Sequence, residues 1–195
     1  MKNKLSLFIL SLGLLFSSPS FANEDEETKA YQVYEEMQDI LDGEWSLSPE
    51  SQQTGTSSYK NPAISFLVGT NATGISYKSI GKGATLQEDL LPNTKKQMVT
   101  MYFCNSYYDC SELRATHYCA KQNNPEFILN EKETTENKIV FDCNMATPLC
   151  NSDEDHVHKI IHELSNNKTH LKSSYLGWKN QTPNKKNSIY HFDKK

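Results

Sequence analysis

The chain is nearly without arginine: Arg114 is the only one in 195 residues, and lysine supplies the remaining positive charge. Twenty basic residues face 24 acidic ones, for a formal charge of −4. That balance provides no field to attract nucleic acid or an anionic membrane surface. No Cys-x-x-Cys occurs, and the cysteine spacings fit no zinc pattern. Gly-x-Ser-x-Gly, His-Glu-x-x-His and a phosphate-cradling glycine loop are also missing, and Gly81-Lys-Gly83 is only a turn. These absences leave no catalytic residue to assign. The one long apolar run lies at the extreme N-terminus.

That run has the layout of an export signal. Lys2 and Lys4 precede an apolar stretch over residues 5–16, and Ser20-Phe21-Ala22 closes it with small residues where a signal peptidase reads. The stretch falls short of the roughly 20 apolar residues a bilayer span requires. Acid-rich residues 23–27 follow at once, which suits cleavage after Ala22 better than an uncleaved anchor. The expectation is a periplasmic or secreted protein with no membrane insertion after cleavage. Losing Lys2 and Lys4 takes the basic count from 20 to 18 against 24 acids, so the mature chain has a charge of −6.

Five cysteines then enter an oxidising compartment. Cys104 and Cys110 bracket one turn-rich segment, Cys143 and Cys150 bracket another, and Cys119 is left over within a strand-like run. Local pairing, 104 with 110 and 143 with 150, is the preferred arrangement. Sequence alone leaves five choices of free thiol, each with three pairings.

The mature chain reads as one helix followed by strands. Ala30, Val33, Tyr34, Met37 and Ile40 recur at helical spacing over residues 28–40, with acidic residues before and at the start and a stop near Asp42-Gly43. Strand-like runs then occupy residues 44–47, 63–68, 74–80, 85–91, 98–103, 113–119, 127–130, 138–142, 157–164, 170–178 and 188–192. Asn-, Gly- and Pro-rich turns separate them, and residues 48–60 read as a long polar loop. Many short strands so spaced predict a sandwich or an up-and-down barrel. The division is a signal peptide over 1–22, a tail and helix over 23–40, and one β domain over 41–195.

Leu41-Asp-Gly-Glu-Trp45, a helix end running into Gly-x-Trp on the first strand, resembles the opening of the calycins, which include lipocalins and fatty-acid-binding proteins. Met98-Val-Thr-Met-Tyr102, Thr116-His-Tyr-Cys119 with Asn123-Asn-Pro125, Asp155-His-Val-His158 and the closing Ser188-Ile-Tyr-His-Phe192 extend the likeness. Together they are similar to a group of small exported bacterial proteins with a lipocalin-like barrel and no assigned activity. The cysteine loops 104–110 and 143–150 depart from that pattern. The resemblance implies a mainly β, lipocalin-like antiparallel β-barrel with a short N-terminal helix, and by analogy of fold a small apolar ligand in its lumen.

Alternation along each strand names the candidate lumen residues. Glu88 shares a face with Leu86 and Leu90; His117 and Cys119 share one with Leu113 and Ala115; Tyr102 shares one with Met98 and Thr100. On residues 157–164, Lys159 and Glu163 mark the wet face, which turns His158, Ile160, His162 and Leu164 inward. The candidate ligand-binding set is therefore Glu88, Tyr102, His117, Cys119, His158 and His162. Three histidines and a carboxylate also suit a metal ion or an axial haem bond, although shared faces on separate strands do not establish convergence. His117 and Cys119 stand about 6–7 Å apart at i and i+2, too far for direct proton transfer. Asn71 and Asn167 match the glycosylation acceptor pattern by chance in a chain of this type. Three functions follow: a small-molecule-binding barrel with an apolar lumen and polar floor, a metal- or haem-binding barrel using the lumenal histidines with or without enzymatic activity, or a surface-interaction protein using the tyrosines of the 104–110 loop.

Overall fold

The computed structural model describes residues 27–52, 64–106 and 109–195. The expected export signal and cleavage point, and Tyr107 and Tyr108 of the expected interaction loop, lie outside the described residues.

Helix α1 (Lys29–Leu41) begins at Thr28, whose Oγ1 accepts from the Tyr31 amide at 3.2 Å. Its first turn contains no acidic residue, so a hydroxyl cap does the work expected of acidic charge at the helix start. Ala30, Val33, Tyr34, Met37 and Leu41 form its buried stripe. The Gly-x-Trp signature has a mechanical meaning here. Gly43 turns the chain out of the helix at φ +105°, and fully buried Trp45 donates its indole N–H to the Leu41 carbonyl at 2.9 Å. Lys194 Nζ takes the Ile40 carbonyl at 2.8 Å, so two orphan acceptors of the helix end are satisfied.

The strands are β1 (Gly43–Leu47), β2 (Thr73–Ile80), β3 (Thr85–Leu90), β4 (Met98–Cys104), β5 (Leu113–Tyr118), β6 (Glu126–Leu129), β7 (Lys138–Cys143), β8 (His156–Ser165), β9 (His170–Lys179), β10 (Thr182–Pro183) and β11 (Ser188–Lys194). Each of β1 to β9 pairs antiparallel with its sequence neighbour except β9 with β1, where β11 intervenes and closes the ring. Ten strands form the closed barrel, and the two-residue β10 pairs only with the end of β9. Closure removes the free sheet edges that would otherwise recruit other chains.

Of the expected strand at 63–68, residue 63 lies outside the described residues, and Ser65–Leu67 forms a 3₁₀ turn instead. Ile64 and Leu67 are buried three residues apart while Phe66 is 62% exposed, a period of three rather than two. A second turn, Pro49–Gln52, lies at the start of the expected polar loop over 48–60, whose residues 53–60 are outside the described residues. Helix α1 covers one end of the barrel: Tyr34 reaches the β2–β3 turn at Gly83, and Lys168 of the β8–β9 turn reaches Glu36. The opposite end is formed by the β3–β4, β5–β6, β7–β8 and β9–β11 connections.

Cys104 is bonded to Cys110 and Cys143 to Cys150, leaving Cys119 free. Each bridge closes a short loop, so serine substitution of either pair should cost about 2–3 kcal/mol. Urea unfolding of each double variant measures this, and non-reducing peptide mapping should find Cys119 alone alkylated. Cys119 linked to any partner would overturn the pairing.

Candidate functional site

Glu88 is fully buried at the centre of the barrel. Oε1 accepts from the hydroxyls of Thr100 and Tyr175, each at 2.8 Å, while Oε2 accepts from Tyr102 at 2.8 Å and Tyr77 at 3.1 Å. Four donors thus fill the four lone-pair directions of one carboxylate. β3 supplies the acid, and β2, β4 and β9 supply the hydroxyls. Burial first, then the charge of Glu88, pushes the three tyrosines well above their ordinary range, so all remain donors.

Two histidines extend this network, and donor bookkeeping fixes their tautomers. The Thr100 proton goes to Glu88, so the Thr100 oxygen takes its bond from His117 Nδ1–H at 2.9 Å. In the same way His162 Nε2–H donates to the Tyr102 oxygen at 2.9 Å, and Ser173 donates to His162 Nδ1 at 2.9 Å. Burial pushes His117 down to about 4 and His162 down to about 3. His162 has both nitrogens occupied. His117 Nε2 is buried and has no partner among the described residues.

His117 lines a cavity of about 350 Å³ at the barrel end away from the helix. Met98, Cys119, Val157, Tyr175 and Tyr190 form its walls, and Lys96, Lys121, Lys186, Asp155, Asn184 and Asn187 surround it. Gly177 permits this construction, since a Cβ there would lie 2.5 Å from Asn184 Nδ2. Cys119 is half-buried rather than buried, with Sγ 4.0 Å from Met98 Sδ. Burial raises its thiol pKa, the opposite of what an activated nucleophile requires.

The barrel therefore brings Glu88, Tyr102, His117 and His162 into one connected network, with Cys119 on the adjoining cavity. It does not bring His158 there. The β8–β9 register shifts between Val157 and Lys159, a bulge that turns Val157 into the cavity and His158 away. His158 stacks on Trp178 at 3.9 Å, and its Nδ1 lies 3.0 Å from His156 Nε2. Tyr77, Thr100, Ser173 and Tyr175 belong to the network but were not singled out from sequence. Thr100 was legible on the face of Tyr102, whereas Tyr77 and Tyr175 carry no polar pattern that separates them from core tyrosines. Arg114 is exposed and pairs with Glu112 two residues away. No protein-family model matches the chain, and no curated protein sequence is significantly similar to it.

Proposed function

We propose that the protein is an exported, lipocalin-like binding barrel that takes one small amphiphilic molecule in the cavity above His117. The observation that carries this reading is the lone pair on His117 Nε2, buried beside a cavity while Nδ1 is tied through Thr100 to Glu88. A buried polar atom without a partner is costly, and a ligand N–H or O–H removes that cost. The cavity lies within the usual range for small-ligand sites, with an apolar body of Met98, Val157 and Tyr190. Lysines 96 and 186 at the rim suit an anionic group pointing outward. Two bonded cysteine pairs accord with periplasmic or secreted residence, as does the signal-like N-terminus.

A second reading rests on the sulfur pair. Met98 Sδ and Cys119 Sγ share the cavity with His117, a soft donor set for a metal ion such as Cu(I).

The probe 1-anilinonaphthalene-8-sulfonate carries the required chemistry: an aromatic body, one N–H and a sulfonate. It should bind one to one with enhanced fluorescence, and His117→Phe should weaken it about tenfold, the loss of a buried hydrogen bond. Binding that is multiple, or indifferent to His117→Phe, would count against the ligand reading. Native mass spectrometry showing a tightly held copper ion, lost in Met98→Leu, would favour the second.

A further inference from the structure

We propose that Glu50, His170 and His191 form a divalent transition-metal site, zinc by preference, on the outer wall of the barrel. This goes beyond the cavity reading and uses none of its residues. On β11, Tyr190 and Phe192 point inward, which sends His191 and Asp193 outward; on β9, Leu171 and Ser173 point inward, which sends His170 outward. His170 pairs with Asp193 and His191 with Lys172, so the two imidazoles are diagonal neighbours across one strand pair. The Pro49–Gln52 turn delivers the third group. It is fastened to the backbone of His191 itself: Ser48 N donates to the His191 carbonyl at 2.8 Å, and Ser51 Oγ exchanges hydrogen bonds with His191 N and O at 2.9 and 3.0 Å.

The convergence has the dimensions of a coordination sphere. His170 Nε2 lies 3.1 Å from His191 Nδ1 and 3.4 Å from Glu50 Oε2, and His191 Nδ1 lies 3.7 Å from the same carboxylate oxygen. Tetrahedral zinc with bonds of 2.0–2.1 Å sets its ligand atoms about 3.3–3.4 Å apart. A His–His hydrogen bond accounts for the shortest of these contacts but not for a carboxylate oxygen nearly equidistant from both rings. Asp193 Oδ1 accepts from His170 Nδ1 at 2.7 Å, which commits the proton to Nδ1 and leaves the Nε2 lone pair facing the other two donors. A carboxylate behind a histidine is the usual support for a metal-bound imidazole. His191 Nε2 is buried and has no partner among the described residues, so only Nδ1 of that ring is engaged, and it faces His170 and Glu50.

Two histidines and a glutamate are a three-ligand set that leaves a fourth position open. Here that position faces a groove of about 460 Å³ bordered by Asn137, Lys138, Glu163 and Lys172. Water or an exogenous anion would occupy it. The other histidine cluster, His156 and His158 beside Cys143, is a weaker candidate because the Cys143 sulfur is bonded to Cys150.

The test is titration of the metal-stripped, processed protein with Zn²⁺ against a chromophoric chelator, repeated with Co²⁺ for its visible spectrum. One equivalent should bind, with the intense d–d absorption of tetrahedral Co²⁺ and no thiolate charge-transfer band. His170→Gln and His191→Gln should each weaken binding about a hundredfold and Asp193→Asn about tenfold, while His158→Gln should leave it unchanged. The wild-type Co²⁺ spectrum is an independent readout that does not depend on the folding of any histidine variant. Absence of stoichiometric binding overturns the proposal, as does binding that survives both glutamine variants. A thiolate band would place the metal at Cys119 and overturn it too, whereas sulfonate-probe binding tests the cavity reading separately.

Discussion

Glu88→Ala should lower stability by about 4 kcal/mol, which for a domain of this size corresponds to a melting temperature lower by about 8–16 °C. The substitution removes the single acceptor shared by Tyr77, Tyr102, Tyr175 and Thr100, all buried. Each orphaned buried hydroxyl costs about 1–3 kcal/mol, and the total supposes that about half of the four find one another after the change. The histidines suffer as well, because Thr100 and Tyr102 orient their protons only while Glu88 accepts. Glu88→Gln should cost about half as much, since one oxygen is kept while the amide presents donors to hydroxyls that are already donating. Glu88→Met separates lost acceptor from lost volume, because it fills the space and still leaves the hydroxyls unpaired. Urea and thermal unfolding of the three variants measure this. A Glu88→Ala protein melting within about 3 °C of wild type would show that the network contributes little.

Much of this centre was legible because alternation is reliable on strands without irregularities. Leu86, Glu88 and Leu90 are all fully buried, as the period of two on residues 85–91 requires, and Leu113, Ala115 and His117 behave likewise on β5. The same reasoning failed on β8 for a local reason. One bulge between Val157 and Lys159 changes the parity of everything N-terminal to it, so His162 stays inward while His158 is turned out. Nothing in Asp155-His-Val-His158 announces that extra residue. The apolar stretch Ile64-Ser-Phe-Leu-Val68 misled for a related reason, because four hydrophobic residues in five suit a strand or a single 3₁₀ turn.

Contacts between strands were beyond the sequence altogether. Tyr77 and Tyr175 meet at Glu88 although they lie 98 residues apart, because ring closure leaves only β11 and β1 between β9 and β2 and turns both side chains into one lumen. His170 and His191 become neighbours only through the β9–β11 pairing that closes the barrel, and Glu50 only because a short turn is fastened to His191. Alternation marks these two histidines as outward. Outward histidines are ordinary, and their convergence with a glutamate depends on register and on a turn in a segment that reads as loop.

Acidification from pH 7 to pH 5 should destabilise the protein by about 4 kcal/mol, well before most carboxylates titrate. The sign follows from the two interior histidines. Burial holds His117 down to about 4 and His162 down to about 3 in the folded chain, whereas both titrate near 6.5 when unfolded. Between these limits the unfolded chain binds more protons, so stability is fully present above the unfolded value and is lost as pH falls towards the folded ones. Each histidine contributes about 2 kcal/mol over the interval from pH 7 to pH 5, giving a melting temperature lower by about 8–16 °C for the pair. The charge of Glu88 pulls His117 the other way and does not outweigh burial. Protonating His162 requires Ser173 to withdraw the hydroxyl that now donates to Nδ1, in a site with no exposed surface. His117→Gln keeps a donor for Thr100 but no longer titrates, so it should remove close to one proton from the slope of stability against pH. A wild-type melting temperature that moves by less than about 3 °C between pH 7 and pH 5 would mean the interior histidines accept protons without unfolding. An unchanged slope in His117→Gln would leave His162 and the outward histidines to carry the sensitivity, and of the latter His158 and His191 are also held below their ordinary value by burial.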